Sequence, residues 1–285
     1  MKKVFMIFAI SISLMVALVT GAQAADKYTS NHAEVDATTA NKGYISVKYI
    51  GGESKKIKVR IEKGDGMYTY DLNTGAKYEV YSMNMGDGQY TVKVMQNITD
   101  NKYAVLQTNK FDVKLDNKNM PFLVPTQYVN FSDESKVVEK AAELTKNVTS
   151  TLEKIDIIYK YVTELLTYDY DKAATVKSGY LPEVDKILAA KKGICFDYSA
   201  MMGAMLRSLD IPTKLVTGYV SKSDVYHAWN EVYVEGKGWI KTGELYFDGE
   251  SWKLMDSTFQ STGKGNTSVT KLIGDGTSYS KKYEY

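Results

Sequence analysis

The sequence predicts a two-part chain of class α+β, with an all-β half first and, after it, a half in which helices precede strands. Three changes of period carry that reading. Apolar and polar residues alternate in twos from about residue 43 to residue 115, a helical period holds from 135 to 210, and period two returns after Pro212.

The first residues are set aside before any fold is read. Lys2 and Lys3 precede an apolar run over 4–19, and Ala22-Gln23-Ala24 follows as a small-x-small cleavage site, so residues 1–24 read as a secretory signal peptide. The chain is then expected outside the cell, released or held at the cell wall, with no later stretch long and apolar enough to span a membrane. The remaining chain of about 260 residues is long enough for two domains. Without Lys2 and Lys3, 34 basic residues face 34 acidic ones, so nucleic acid is not an expected partner. Cys195 is the single cysteine, which excludes an internal disulfide and leaves stability to the apolar core. The 23 tyrosines against 8 phenylalanines suit half-exposed strands and polar grooves without naming a ligand.

Taken in order, residues 25–39 are small and polar and read as a loose start, with His32 a surface histidine. Ile45, Val47 and Tyr49 alternate with polar residues, as do Ile57, Val59 and Ile61, then Tyr90, Val92 and Val94, and finally Phe111, Val113 and Leu115. Short strands at 78–81 and 103–106 complete the set. Gly51-Gly52, Gly64-Asp65-Gly66, Asn73-Thr74-Gly75 and Gly86-Asp87-Gly88 mark the turns. Six or seven strands at this spacing make residues 25–120 an all-β sandwich of immunoglobulin-like architecture. The Gly-Asp-Gly triplets lack the Lys-Ser/Thr and the helix of a phosphate loop and are read as turns.

Pro121 and Pro125 enforce extended backbone in a linker over 121–134, and the second domain runs from 135 to 285. Helices are expected at 135–147, at 150–166 with Ser150 and Glu153 as a capping box, and at 182–190. Residues 167–171 (TYDYD) read as a polar aromatic turn. In 191–210, Ala200, Met201, Ala204, Met205 and Leu209 recur at three- and four-residue steps, so a helix follows Cys195. Strands are expected at 214–220, at 226–234 with His227, Trp229, Glu231 and Tyr233 on one face, from Trp239 onward, and at 252–256. The tail from 257 reads as irregular surface with room for one late strand.

Cys195 therefore sits at a helix start, where unpaired N–H groups and the helix dipole favour thiolate over thiol. A lone cysteine is more often inert core, but an unpaired thiol in an exported chain points to use. Acyl transfer at an amide needs a nucleophile, a base, a group that orients the base, and donors for the oxyanion. Cys195, His227 (the one histidine of this half) and Asp256 supply the first three, and the Cys195 N–H is a candidate oxyanion donor. Asp248 competes with Asp256, but its Asp-Gly pair marks a turn. One Cys and one His without C-x-x-C or H-E-x-x-H spacing give no zinc motif, Asp169-Tyr170-Asp171 is too short for a calcium loop, and no cofactor is expected.

In order, G193-x-C195-x-D197-Y198-S199, L206-R207-S208-L209-D210-I211-P212, G218-Y219-V220, H227-A228-W229-N230-E231-V232 and D256-S257-T258 resemble the transglutaminase-like superfamily in its bacterial secreted form, over roughly residues 130–260. The resemblance implies a papain-like α+β core, a Cys195–His227–Asp256 triad, thiol chemistry on amide bonds without a cofactor, and Trp229 and Tyr198 beside the site as packing or substrate-binding residues. Family members often pass quickly from the first tryptophan after the histidine to the aspartate. Here Trp239 is followed by an apparent hairpin and Trp252 precedes Asp256, which blurs the strand that delivers the acid. The expected function is a secreted cysteine hydrolase or acyltransferase acting on extracellular or cell-envelope protein or peptide, hydrolytic rather than cross-linking. The rival readings are a non-catalytic surface-binding protein that keeps the fold, and an adhesin led by residues 43–115.

Overall fold

The computed structural model describes residues 26–52, 55–220, 226–240, 246–247, 252–253 and 279–285. In the N-terminal half the strands are β1 (Lys27–Thr29), β2 (Ala33–Asp36), β3 (Tyr44–Tyr49), β4 (Ile57–Lys63), β5 (Gly66–Leu72), β6 (Glu79–Ser82), β7 (Gly88–Thr99) and β8 (Lys102–Val113). They form two four-stranded antiparallel sheets, β1-β2-β3-β6 and β5-β4-β7-β8. Alternate residues from both sheets, among them Ile45, Val47, Val59, Val92 and Phe111, meet in one apolar core. That is the consequence of period two, which puts every second side chain on the same face.

Three expectations are corrected in this half. The segment read as a loose start carries β1 and β2, because Ala33 and Val35 are buried and lie across from Tyr49 and Val47. Strand β5 lies over a stretch that alternates tyrosines with polar residues, a weaker signal than the Val/Ile strands. The two short strands expected at 103–106 and 111–115 belong to the single twelve-residue β8. His32 is exposed, as read.

The second half opens with α1 (Lys136–Leu144) and α2 (Thr151–Leu165). Ser150 caps α2 by accepting the Glu153 N–H at 3.4 Å. Next come β9 (Thr167–Tyr168), α3 (Tyr170–Thr175), α4 (Val184–Ala190), β10 (Lys192–Gly193) and α5 (Cys195–Arg207). The TYDYD stretch is thus more ordered than a turn, since Asp169 caps α3 through the Lys172 N–H at 3.0 Å. The strands β11 (Thr213–Val220), β12 (Tyr226–Val234), β13 (Gly238–Ile240), β14 (Tyr246–Phe247), β15 (Trp252–Lys253) and β16 (Tyr279–Glu284) follow. Strands β13-β12-β11-β16 form an antiparallel sheet in that order. Helix α5 packs on this sheet and on α1, α2 and α4, and Ile158, Val162, Met201, Met205, Leu215 and Val232 fill the core between them. Helices ahead of an antiparallel sheet make this half α+β.

The two halves share side chains rather than a bare tether. Tyr128 of the linker and Tyr285 cross edge to face at 4.7 Å, and both meet Tyr70 of β5, at 5.6 and 6.0 Å. Buried Arg207 donates to the carbonyls of Val124 at 2.8 Å, Thr213 at 2.9 Å and Tyr285 at 2.8 Å, joining linker, β11 and the residue after β16 at one point. No helix among the described residues is long and apolar enough to cross a membrane.

Candidate active site

Cys195 is the first residue of α5, and its placement is built from both sides. Parallel pairing of β10 with β9 sets Gly193 across from Tyr168, and the Asp169 N–H reaches the Gly193 carbonyl at 2.9 Å. Gly193 has no room for a side chain, since a Cβ there would meet the Cβ of Asp197 at 2.7 Å. Ile194 is the N-cap residue, and the carboxylate of Asp197 reaches back to its N–H at 2.9 Å. An acid at the third helical position satisfies an otherwise orphan donor and complements the helix dipole. The Asp197 N–H already donates to the Ile194 carbonyl at 2.9 Å, which leaves the N–H groups of Cys195 and Phe196, the first two positions of the helix, as candidate oxyanion donors.

His227 is the second residue of β12, which spans the residues expected of it. The strand is gripped on both faces. On one, the Asn230 side-chain amide donates to the Ser199 carbonyl of α5 at 3.0 Å and to the Lys214 carbonyl at 3.1 Å. On the other, Trp229 lies 5.0 Å edge to face from Tyr279 of β16, and Glu231, 2% exposed, pairs with Lys281 at 3.0 Å. The His227 ring, 5% exposed, lies 6.3 Å from the Trp229 ring and 6.4 Å from that of Tyr279. In β11, Gly218 is the register partner of His227, and a Cβ at Gly218 would come 2.1 Å from the Ser280 carbonyl. The glycine therefore lets β16 close on β11 beside the histidine.

Cys195 and His227 line one cleft of about 610 Å³. Its walls are aromatic: Tyr128, Tyr168, Tyr180, Phe196, Tyr226 and Tyr285. Burial is the leading cause that pushes the Tyr168 phenol up to about 12. Burial is also the leading cause of the upward shift at Tyr226, whose hydroxyl donates to Thr217 Oγ1 at 2.7 Å. The sequence signal for these walls was the surplus of tyrosine, which names a kind of surface and no position on it.

The remaining expected residues are placed as follows. Tyr198 is fully buried in the core and donates to the Leu166 carbonyl at 2.8 Å. Trp229 is 1% exposed. Neither is among the described residues that line the cleft, and both are packed among neighbouring side chains. Asp256, its competitor Asp248, and the strand expected through 254–256 lie outside the described residues. Among the described residues, no three His, Cys, Asp or Glu side chains gather to hold a metal ion.

Comparison with known proteins agrees with the resemblance read from the motifs. The Transglutaminase-like superfamily profile matches residues 138–244, a span that holds Cys195 and His227. An uncharacterized protein of Bacillus subtilis, YebA, is 25% identical over 219 residues, 70% of this chain and 28% of that protein. The Kyphoscoliosis peptidase of Mus musculus is 28% identical over 145 residues, 47% of this chain and 19% of the peptidase. The chain thus spans under a third of the length of the curated relatives it matches. Among solved structures, a candidate cysteine protease from Cytophaga hutchinsonii aligns with a TM-score of 0.44 at 18% identity, over 85% of this chain and 83% of the other. The periplasmic domain of TgpA from Pseudomonas aeruginosa, solved with ethylmercury, aligns at 0.37 and 14% identity, over 78% and 91%. Residues 138–244 of this chain are a domain of the transglutaminase-like superfamily.

Proposed function

We propose that this chain is an exported cysteine-dependent acyl-transfer enzyme acting on amide bonds of extracellular or cell-envelope proteins or peptides. The observation that carries the reading is the single cleft lined by both Cys195, at a helix start, and His227, on the facing sheet. Sγ of Cys195 adds to the amide carbonyl while the imidazole of His227 takes the thiol proton. The resulting oxyanion is met by N–H groups of the first turn of α5. Collapse breaks the C–N bond, and His227 returns the proton to the leaving amine, which leaves a thioester. Water then adds to the thioester, His227 again holding the proton, and the carboxylic acid and the thiol are released. Asp256 is assigned to orient the imidazole and stabilise its cation.

Hydrolysis is favoured over cross-linking because, among the described residues, the cleft is lined by aromatics and Lys177 and by no acid that would collect a lysine amine. The N-terminal half is read as an immunoglobulin-like sandwich that helps shape the cleft through Tyr128 and Tyr285, which touch both cores. The test is turnover of a peptide and glutamine-amide panel, scored separately for ammonia release, peptide cleavage and amine incorporation. The wild-type chain should release ammonia or cleave. Cys195→Ala should lose about 10⁴-fold or more, the scale of removing a nucleophile, with an unchanged urea midpoint. Equal activity in both proteins would remove the enzyme reading, and amine incorporation as the main product would replace hydrolysis with transamidation.

A further inference from the structure

One wall of the cleft is held in an unusual way. Ala173, Val176, Ser178 and Gly179 line it, and they belong to α3 and the segment that follows. Helix α3 contributes no buried residue, Tyr170 is 71% exposed and Val176 is 39% exposed. Apolar packing therefore does little to fix this wall in place. The polar contacts that tie it inward converge on the third residue of α5, two positions after Cys195. The side chain of Asp197 is fully buried. It accepts from Lys172 Nζ at 2.6 Å, from the Tyr180 hydroxyl at 2.6 Å and from the Ile194 N–H at 2.9 Å. Lys172 Nζ also donates to the Tyr180 oxygen at 2.6 Å, which closes a triangle. Lys172 and Tyr180 bracket the lining residues in sequence, so both ends of the wall are pinned to one carboxylate.

Charge-assisted bonds of this length are about twice as strong as neutral ones, and a buried carboxylate with a full set of donors is fixed in orientation. The same carboxylate holds the Ile194 N–H and so fixes the start of the helix that presents the thiol. The wall and the nucleophile are thereby registered to each other through a single side chain. From this we infer that Lys172, Asp197 and Tyr180 form a clamp that sets the width of the cleft beside Cys195, and with it the size of the acyl group that can reach the sulfur. Asp197 is a positioning residue in this account, acting through its neighbours and touching no substrate. The inference rests on the reading of Cys195 as the nucleophile, and the test keeps the two apart.

Cys195 is the sole thiol of the chain, so its alkylation can be followed without background. Rates with small iodoacetamide and with a bulky fluorescein maleimide would be measured in the wild type, Tyr180→Phe and Lys172→Met, with hydrogen exchange over residues 170–181 and over α5. Lys172→Met should raise the ratio of bulky to small rates by about fivefold, the effect of one lost hydrogen bond, and Tyr180→Phe should raise it less. Protection over 170–181 should fall while that of α5 persists. An unchanged ratio with intact protection in both variants would overturn the clamp. So would a uniform loss of protection across α5 and its sheet, which would make the cluster a general stabiliser. If the wild-type thiol reacts with neither reagent, the nucleophile reading fails, and the exchange pattern alone still decides whether the wall is clamped. Asp197→Asn also disturbs the Ile194 cap, so the two milder variants carry the decision.

Discussion

The two halves of this chain bury different things. In the N-terminal sheets the interior is apolar apart from the hydroxyls of Tyr49, Tyr70, Tyr81 and Tyr90 and, among described residues 26–113, the side chain of Ser82, which donates to the Pro121 carbonyl at 3.0 Å. In the second half Asp197, Arg207, His227 and Glu231 are all buried within 35 residues of sequence, together with Ser199, Thr213, Thr217 and Asn230. Removing an ionisable group from water is costly unless it is paired. Asp197, Arg207 and Glu231 each hold close partners, which fix the helix start, the junction of the two halves and, across β11, the link of β12 to β16. One half is built for stability, while the other accepts desolvation in exchange for position.

That contrast can be broken or sharpened by substitution. Arg207→Met removes a donor from each of three backbone carbonyls and cuts the tie among linker, β11 and Tyr285. Its expected cost is about 4 kcal/mol in urea unfolding, with loss of reactivity at Cys195. Gly218→Ala comes next. Its Cβ cannot coexist with the Ser280 carbonyl, so β16 must move. The expected cost is about 2–3 kcal/mol, as for overpacking, with hydrogen exchange rising first over 279–285 and the His227 environment disturbed with it. The smallest effect falls in the apolar half: Val92→Ala should cost about 2 kcal/mol while the alkylation rate of Cys195 in the folded protein stays at the wild-type value. A core change in the N-terminal sheets that altered thiol reactivity as strongly as Gly218→Ala would erase the distinction between the halves.

Much of this was legible in the sequence because it is local. Strand β12 has the bounds that alternation predicts, α2 starts at its Ser150 cap, and α5 starts at Cys195. What was not legible depends on partners distant in sequence. Nothing local says that residues 279–284 pair with β11, because that pairing joins residues some 60 positions apart, Gly218 with Lys281 and Tyr219 with Ser280. The role of Asp197 was hidden for the same reason: an acid in the first turn reads as a cap, and its bonds to Lys172 and Tyr180 span 25 and 17 residues. Strands β1 and β2 were missed because three and four residues are too few to establish a period, and edge-to-edge pairing, β1 on β2 and β2 on β3, makes them strands. The family motifs led to Tyr198 and Trp229 as neighbours of the site, and only the packing shows how deeply both are buried, Trp229 beside the His227 ring.

The account stands on the pairing of one thiol with one imidazole across the cleft, and the most direct measurement is the rate of Cys195 alkylation by iodoacetamide between about pH 5 and pH 9, in the wild type and in His227→Ala. An activated pair keeps the wild-type rate high well below the region where a free cysteine, with its pKa of ~8.5, loses reactivity, and His227→Ala abolishes this low-pH reactivity. A wild-type rate that follows the ordinary thiol, or a curve unchanged by His227→Ala, would contradict it.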